Sequence, residues 1–106
     1  VAPNGSARGM LRQVTVKGLN FDKDVQFSFG EGIDVLEVIN VNPHGNQAEV
    51  MIYVHENAQL GPRRVVVQNG RAGGATMTKP GAFTVYETLA DANRNNVRED
   101  NWTLYE

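Results

Sequence analysis

Ala48-Glu49-Val50-Met51-Ile52-Tyr53-Val54-His55 alternates without a break. Ala48, Val50, Ile52 and Val54 are small or aliphatic, whereas Glu49, Met51, Tyr53 and His55 are polar or amphipathic. A period of two sends successive side chains to opposite sides of an extended backbone. The run therefore reads as a strand with one face in a core and the other outside it. The period recurs on either side. Val14 and Val16 alternate with Thr15 and Lys17, Val25, Phe27 and Phe29 with Gln26 and Ser28, and Phe83 and Val85 with Thr84 and Tyr86.

Between residues 33 and 41 the phase slips. Ile33 and Val35 share one parity, Leu36 and Val38 the other, and Ile39 and Val41 return to the first. A one-residue shift turns every later side chain to the opposite face, so this segment is expected to carry a bulge or to change sheets. Turn residues separate the runs. Asn42-Pro43-His44-Gly45-Asn46 predicts a hairpin between 33–41 and 48–55, and Asn69 to Gly74 a later one. From 56 to 61 the alternation lapses, and this stretch reads as one helical turn ended by Gly61, with Pro62 opening the next strand. Short strands with turn signals about every 8–12 residues point to a sandwich or a barrel.

The length of 106 residues fits one domain, since domains peak at roughly 100–150 residues. With 41% apolar and 21% charged residues the composition is that of a globular chain. No run approaches the roughly 18 apolar residues of a membrane-spanning helix. Cysteine is absent, which excludes disulfides, thiolate catalysis and Cys-ligated zinc. The chain opens at Val1, which reads as a mature or excised piece with any signal peptide outside it. Residues 1–85 hold 8 basic and 7 acidic groups, and residues 86–106 hold 2 and 5. The net charge of −2 is thus the acidic excess of the last stretch set against a nearly balanced body. No basic stripe is present to neutralise phosphates, so nucleic acid is not an expected partner.

Four stretches in order resemble the IPT/TIG domains, a branch of the immunoglobulin-like sandwiches. Val14-Thr15-Val16-Lys17-Gly18-Leu19-Asn20-Phe21 is similar to their opening strand and Gly-x-Asn-Phe turn, and Val25-Gln26-Phe27-Ser28-Phe29-Gly30 to the next strand, with Gly32-Ile33 and Val35 continuing it. Asn57 to Asn69, with Ala58, Gly61, Arg63, Val65 and Val67, resembles their late A-x-x-G-x-R-x-V-x-V-x-N stretch, and Phe83-Thr84-Val85 their closing strand. Gly18 is expected to allow a turn that a Cβ would resist, Asn20 to hydrogen-bond nearby backbone, and Phe21 to plug the end of the core.

The resemblance implies an all-β fold, an immunoglobulin-like β-sandwich of about seven strands. Its core would hold Val14, Val16, Phe21, Val25, Phe27, Phe29, Ile33, Val50, Ile52, Val54, Val65, Val67, Phe83 and Val85. It covers residues 1–86 as one domain and leaves 87–106 as a polar, acidic extension or linker ending in a short edge strand.

Catalytic groupings are thin. Ser6 lies near the N-terminus and Ser28 points out of a strand, while His44 and His55 flank opposite ends of one strand. Neither a Ser-His-Asp constellation nor a shared metal is expected from that placement. Asp22 and Asp24, around Lys23, read as a solvated loop. The chain is read as not an enzyme. The one pattern with ligand logic is Asp91, Asn93, Asn95, Val97 and Glu99, which resembles positions 1, 3, 5, 7 and 9 of a calcium loop. Position 12 is Trp102 where a bidentate acid belongs, so calcium is the only cofactor considered, and a weakly held one. An Asn-rich linker accounts for the same letters.

A candidate binding surface consists of Met51, Tyr53 and His55 in an outward row, extended on the same sheet by Tyr86 and Val66, with Trp102 able to cover it. The resemblance implies a spacer or binding module of a larger bacterial secreted or surface protein, placed outside the cell, on its surface or in the periplasm. Its partners would be neighbouring domains of the same polypeptide, another protein or a carbohydrate. The alternatives are an accessory domain of a polymer-degrading enzyme, stacking Tyr53, Tyr86, Trp102 and Tyr105 on sugars, and self-association through the 102–105 strand.

Overall fold

The computed structural model describes residues 1, 3–70, 74–94 and 102–104. In chain order they form β1 (Gly5–Ala7), β2 (Met10–Leu19), β3 (Gln26–Ser28), β4 (Ile33–Val41), β5 (Gln47–Val54), β6 (Gly61–Gln68), β7 (Thr76–Tyr86), α1 (Leu89–Arg94) and β8 (Trp102–Thr103). Two four-stranded sheets face each other, ordered β4-β5-β2-β8 and β1-β7-β6-β3. The second, fifth and fourth strands share one sheet and the third, sixth and seventh the other. That is the Greek-key arrangement of an immunoglobulin-like sandwich. All fourteen apolar side chains expected inside are buried.

Both chain ends add to this frame. β1 pairs parallel to β7, with Gly5 opposite Thr84 and Ala7 opposite Tyr86. The place beside β2 is taken instead by β8, also parallel, with Gly18 opposite Trp102 and Leu19 opposite Thr103. With these two the described residues form two four-stranded sheets, in line with the about seven strands expected. Val1 and Leu104 are both buried in the core. Its aromatic centre is Phe29 against Phe83, edge to face with centroids 5.2 Å apart. Phe21 closes one end against Phe27, again edge to face at 6.2 Å.

The phase slip in β4 is resolved by two bulges. Pairing with β5 shifts between Val35 and Glu37 and again between Val38 and Asn40, so that Leu36 and Ile39 are each one residue too many. Ile33, Val35, Val38 and Val41 then stand opposite Val54, Ile52, Val50 and Ala48. Val35, Val38 and Val41 pack against the core, whereas Leu36 and Ile39 are extruded to the outside. β4 never leaves its sheet.

The β4–β5 hairpin turn is held by Asn42, whose Oδ1 accepts the Asn46 and Gln47 amides at 2.9 and 3.2 Å. Gly45, at φ 67°, leaves no alternative residue: a Cβ there would sit 2.5 Å from the Phe21 carbonyl oxygen. Asn42→Ala removes the acceptor of two turn amides. It is expected to lower the unfolding free energy by about 1–2 kcal/mol, read from urea denaturation.

Three local expectations are corrected. Residues 55–58 form a β-turn in place of a helical turn, with the Ala58 amide donating to the His55 carbonyl at 3.1 Å, and Gly61 begins β6 instead of ending a helix. Gly18 lies within β2, and the left-handed turn residue is Asn20, at φ 68°. Asn20 also bonds distant backbone, donating from Nδ2 to the Leu104 carbonyl at 2.7 Å. Residues 89–94, read as aperiodic, form α1. Thr88 caps it, accepting the Asp91 amide at 3.2 Å and donating its hydroxyl to Asp91 Oδ2 at 3.0 Å. The Thr-x-x-Asp spacing is the signal that marks this helix start.

Candidate functional site

The outward row of the sequence reading exists on the β4-β5-β2 sheet. Register places Tyr53 between Leu11 and Asp34, Met51 between Gln13 and Glu37, and Glu49 between Thr15 and Asn40. Three apolar side chains missed by the alternation argument join it: Leu11 is 57% exposed, Leu36 56% and Ile39 42%. Leu36 keeps the outward parity of Asp34, and Ile39 reaches this face because the bulge before Glu37 reverses the parity. His55, just past β5, sets its ring edge to face with Tyr53 at 5.1 Å and meets Asp34 Oδ2 through Nε2 at 2.7 Å. Both members of that pair are exposed. The result is an apolar centre (Leu11, Leu36, Ile39, Met51 and Tyr53) bordered by Asp34, Glu37 and Glu49. Lys17 is the cation on the outer face of β2.

Tyr86 and Val66 do not extend this row. They belong to β7 and β6, in the opposite sheet. That sheet's outer face is the more polar, with Gln26 and Ser28 from β3, Arg64 and Gln68 from β6, and Thr78 and Thr84 from β7 around Pro62, Val66 and Tyr86. Tyr53 and Tyr86 therefore cannot form one stacking platform. Trp102 lies beside Gly18 on β8, but its indole, like Tyr105, lies outside what the structure describes.

The catalytic candidates remain scattered. Ser6 is fully buried and donates to the neighbouring Ala7 carbonyl at 3.0 Å, while Ser28 is exposed on β3. His44 is exposed in the 42–46 turn, at the opposite end of β5 from His55. Asp22 serves structure: its Oδ1 accepts the Asp24 amide at 2.9 Å and the Gly70 amide at 3.2 Å. Beneath it the buried Asn69 accepts the Asp22 amide at 2.8 Å and donates Nδ2 to the Asn20 carbonyl at 2.8 Å. This side chain clasps two loops at the Phe21 end, and the reading of Asn69 as a turn residue alone gave no hint of it.

Of the calcium-loop positions, Asp91 and Asn93 lie in α1, and Asn95, Val97 and Glu99 fall outside the described residues. Among the described residues no three His, Asp or Glu side chains gather as a metal group, and no helix is long and apolar enough to cross a membrane. An open cleft of about 250 Å³ lies among Glu31, Gly32, Asn57, Ala58, Gln59 and Arg63. Its guanidinium is already engaged, donating to the Glu31 carbonyl at 2.6 Å and the Gln59 carbonyl at 2.7 Å. The other charged side chain lining the cleft is Glu31, whose backbone carbonyl is the one Arg63 engages.

Fold and face together define an immunoglobulin-like β-sandwich whose distinctive chemistry is a surface. The family model for quinohemoprotein amine dehydrogenase, alpha subunit domain III, matches residues 1–92, and the chain belongs to that family. The match runs into α1 and differs from the IPT/TIG resemblance, although an immunoglobulin-like β fold is compatible with it. No curated protein and no solved structure matches the chain.

The haem in the family's name does not fit the residues present. A chain without cysteine has no C-x-x-C-H attachment site. Its two histidines stand at opposite ends of β5, too far apart to ligate one iron from both sides.

Proposed function

We propose that this chain is a non-catalytic immunoglobulin-like module of a larger secreted, cell-surface or periplasmic protein, and that it packs against a neighbouring domain or subunit. The observation that carries the reading is the apolar outer face of β4, β5 and β2, where Leu36 and Ile39, one at each bulge of β4, join Leu11, Met51 and Tyr53. Strands that face only water have no use for such a cluster, and contiguous exposed apolar surface marks contact sites. Membership in a family defined as a numbered domain of an enzyme subunit supports the same reading, because such a domain has neighbours. The redox chemistry in the family's name would then belong to other parts of an assembly, with this module contributing shape and contact.

The purified chain tests this directly. Incubated with primary amines and a reducible dye, it is expected to leave the dye oxidised. Amine-dependent reduction of the dye by this chain would overturn the reading.

A further inference from the structure

The two outer faces of the sandwich are chemically unlike, and the difference identifies what the apolar one receives. On the β4-β5-β2 face the charged side chains are Asp34, Glu37 and Glu49 against Lys17. Asp34 is matched by His55. Glu37 and Glu49 have no ion-pair or hydrogen-bond partner among the described residues, and they flank Met51, Glu37 directly across from it and Glu49 two positions along β5. Carboxylates beside Leu36, Ile39 and Met51 are placed to accept charge from outside.

We infer that the occupant of this face is a protein surface with an apolar centre and a rim of lysine or arginine, whose cations meet Glu37 and Glu49 as its apolar residues cover Leu36, Met51 and Tyr53. This deepens the reading of the chain as a packing module and rests on it. A second copy of the chain is the poorer fit. A two-fold contact brings the same patch against itself, and a face with three carboxylates to one lysine then meets a surface of the same acidic excess. A carbohydrate is a poorer fit too, since the centre is aliphatic around one tyrosine and not an array of rings. Complementary rim charge sets partner choice and association rate, while the apolar centre carries most of the affinity.

The test uses the isotopically labelled full chain and two synthetic amphipathic helical peptides with the same leucine pattern, one with lysine and one with glutamate at every polar position. The lysine peptide is expected to move the amide resonances of Leu11, Leu36, Glu37, Glu49, Met51 and Tyr53 and to leave those of Ser28, Val66 and Thr78 in place. Its binding should weaken as salt rises from about 20 to about 200 mM, because exposed charges are screened over that range. Glu37→Lys with Glu49→Lys should weaken the lysine peptide roughly tenfold and reverse the preference between the two peptides.

Equal response to both peptides, shifts centred on Val66 and Thr78, or self-association through this face without peptide would each overturn the inference. So would a neutral polysaccharide moving the same resonances. These outcomes leave the dye experiment untouched, so failure of the partner chemistry is separable from failure of the non-catalytic reading.

Discussion

Replacing Phe83 with alanine is expected to remove about 3–5 kcal/mol of folding free energy. The ring is fully buried on β7 and meets Phe29, which directly follows β3 of the same sheet, edge to face. Truncation forfeits the transfer energy of the ring, leaves a cavity between two sheets that cannot close freely, and ends an aromatic contact contributing roughly 0.5–1.5 kcal/mol in its own right. Domains are stable by only about 5–15 kcal/mol, so the variant should lose a large share of its margin and unfold at a much lower urea concentration. Urea denaturation followed by the near-ultraviolet signal checks this. A loss below about 1 kcal/mol would mean that the two sheets do not enclose this ring as described.

The second large effect concerns the chain's last described residues. Leu104 lies far from the sandwich in sequence but is buried in its core. Its amide donates to the Leu19 carbonyl at 3.1 Å, and its carbonyl accepts Asn20 Nδ2 at 2.7 Å. Parallel pairing of Trp102–Thr103 with Gly18–Leu19 aims the side chain inward. Leu104→Ala is expected to cost about 2–5 kcal/mol, as for other buried leucines. Asn20→Ala should cost less, by losing the bond to the Leu104 carbonyl and placing a non-glycine residue without a polar side chain at φ 68°. Both variants should still unfold in one cooperative transition. A Leu104→Ala variant as stable as the parent would mean that the C-terminal strand decorates the sandwich without stabilising it.

These two residues also show how far the sequence could be read. Phe83 was legible because it stands in a run of strict alternation, where parity alone decides the face. Leu104 was not, since the short alternation of residues 102–105 says nothing about which strand it joins or whether it joins in parallel. The phase slip of residues 33–41 announced a bulge. It could not show that both slips are bulges within one sheet, the first turning Val38 inward and the second Val41, because that depends on pairing with β5. The outward row of Met51, Tyr53 and His55 was legible for the same reason as Phe83. Leu11 was missed because it precedes the clear alternation of Val14 and Val16, and Tyr86 was assigned to the wrong sheet because period-two logic gives a side, never a sheet. Asn69 and Asn20 carry long-range bonds that sequence distance hides, each acting on backbone more than forty residues away.

The proposed contact role of Leu36 and Ile39 requires that they contribute little to the fold. It is tested most directly by the binding of the leucine–lysine peptide to a Leu36→Thr/Ile39→Thr variant, with its urea midpoint recorded on the same samples. Threonine keeps the strand preference at both bulges, so the folded state should hold, with a change within about 0.5 kcal/mol as for exposed positions. An unchanged midpoint is expected, with peptide binding weakened roughly tenfold or more, as when the apolar centre of a contact is lost. Peptide binding equal to the parent's, together with a stability loss above about 1 kcal/mol, would contradict it: Leu36 and Ile39 would then serve the fold, and the face would have no partner to receive.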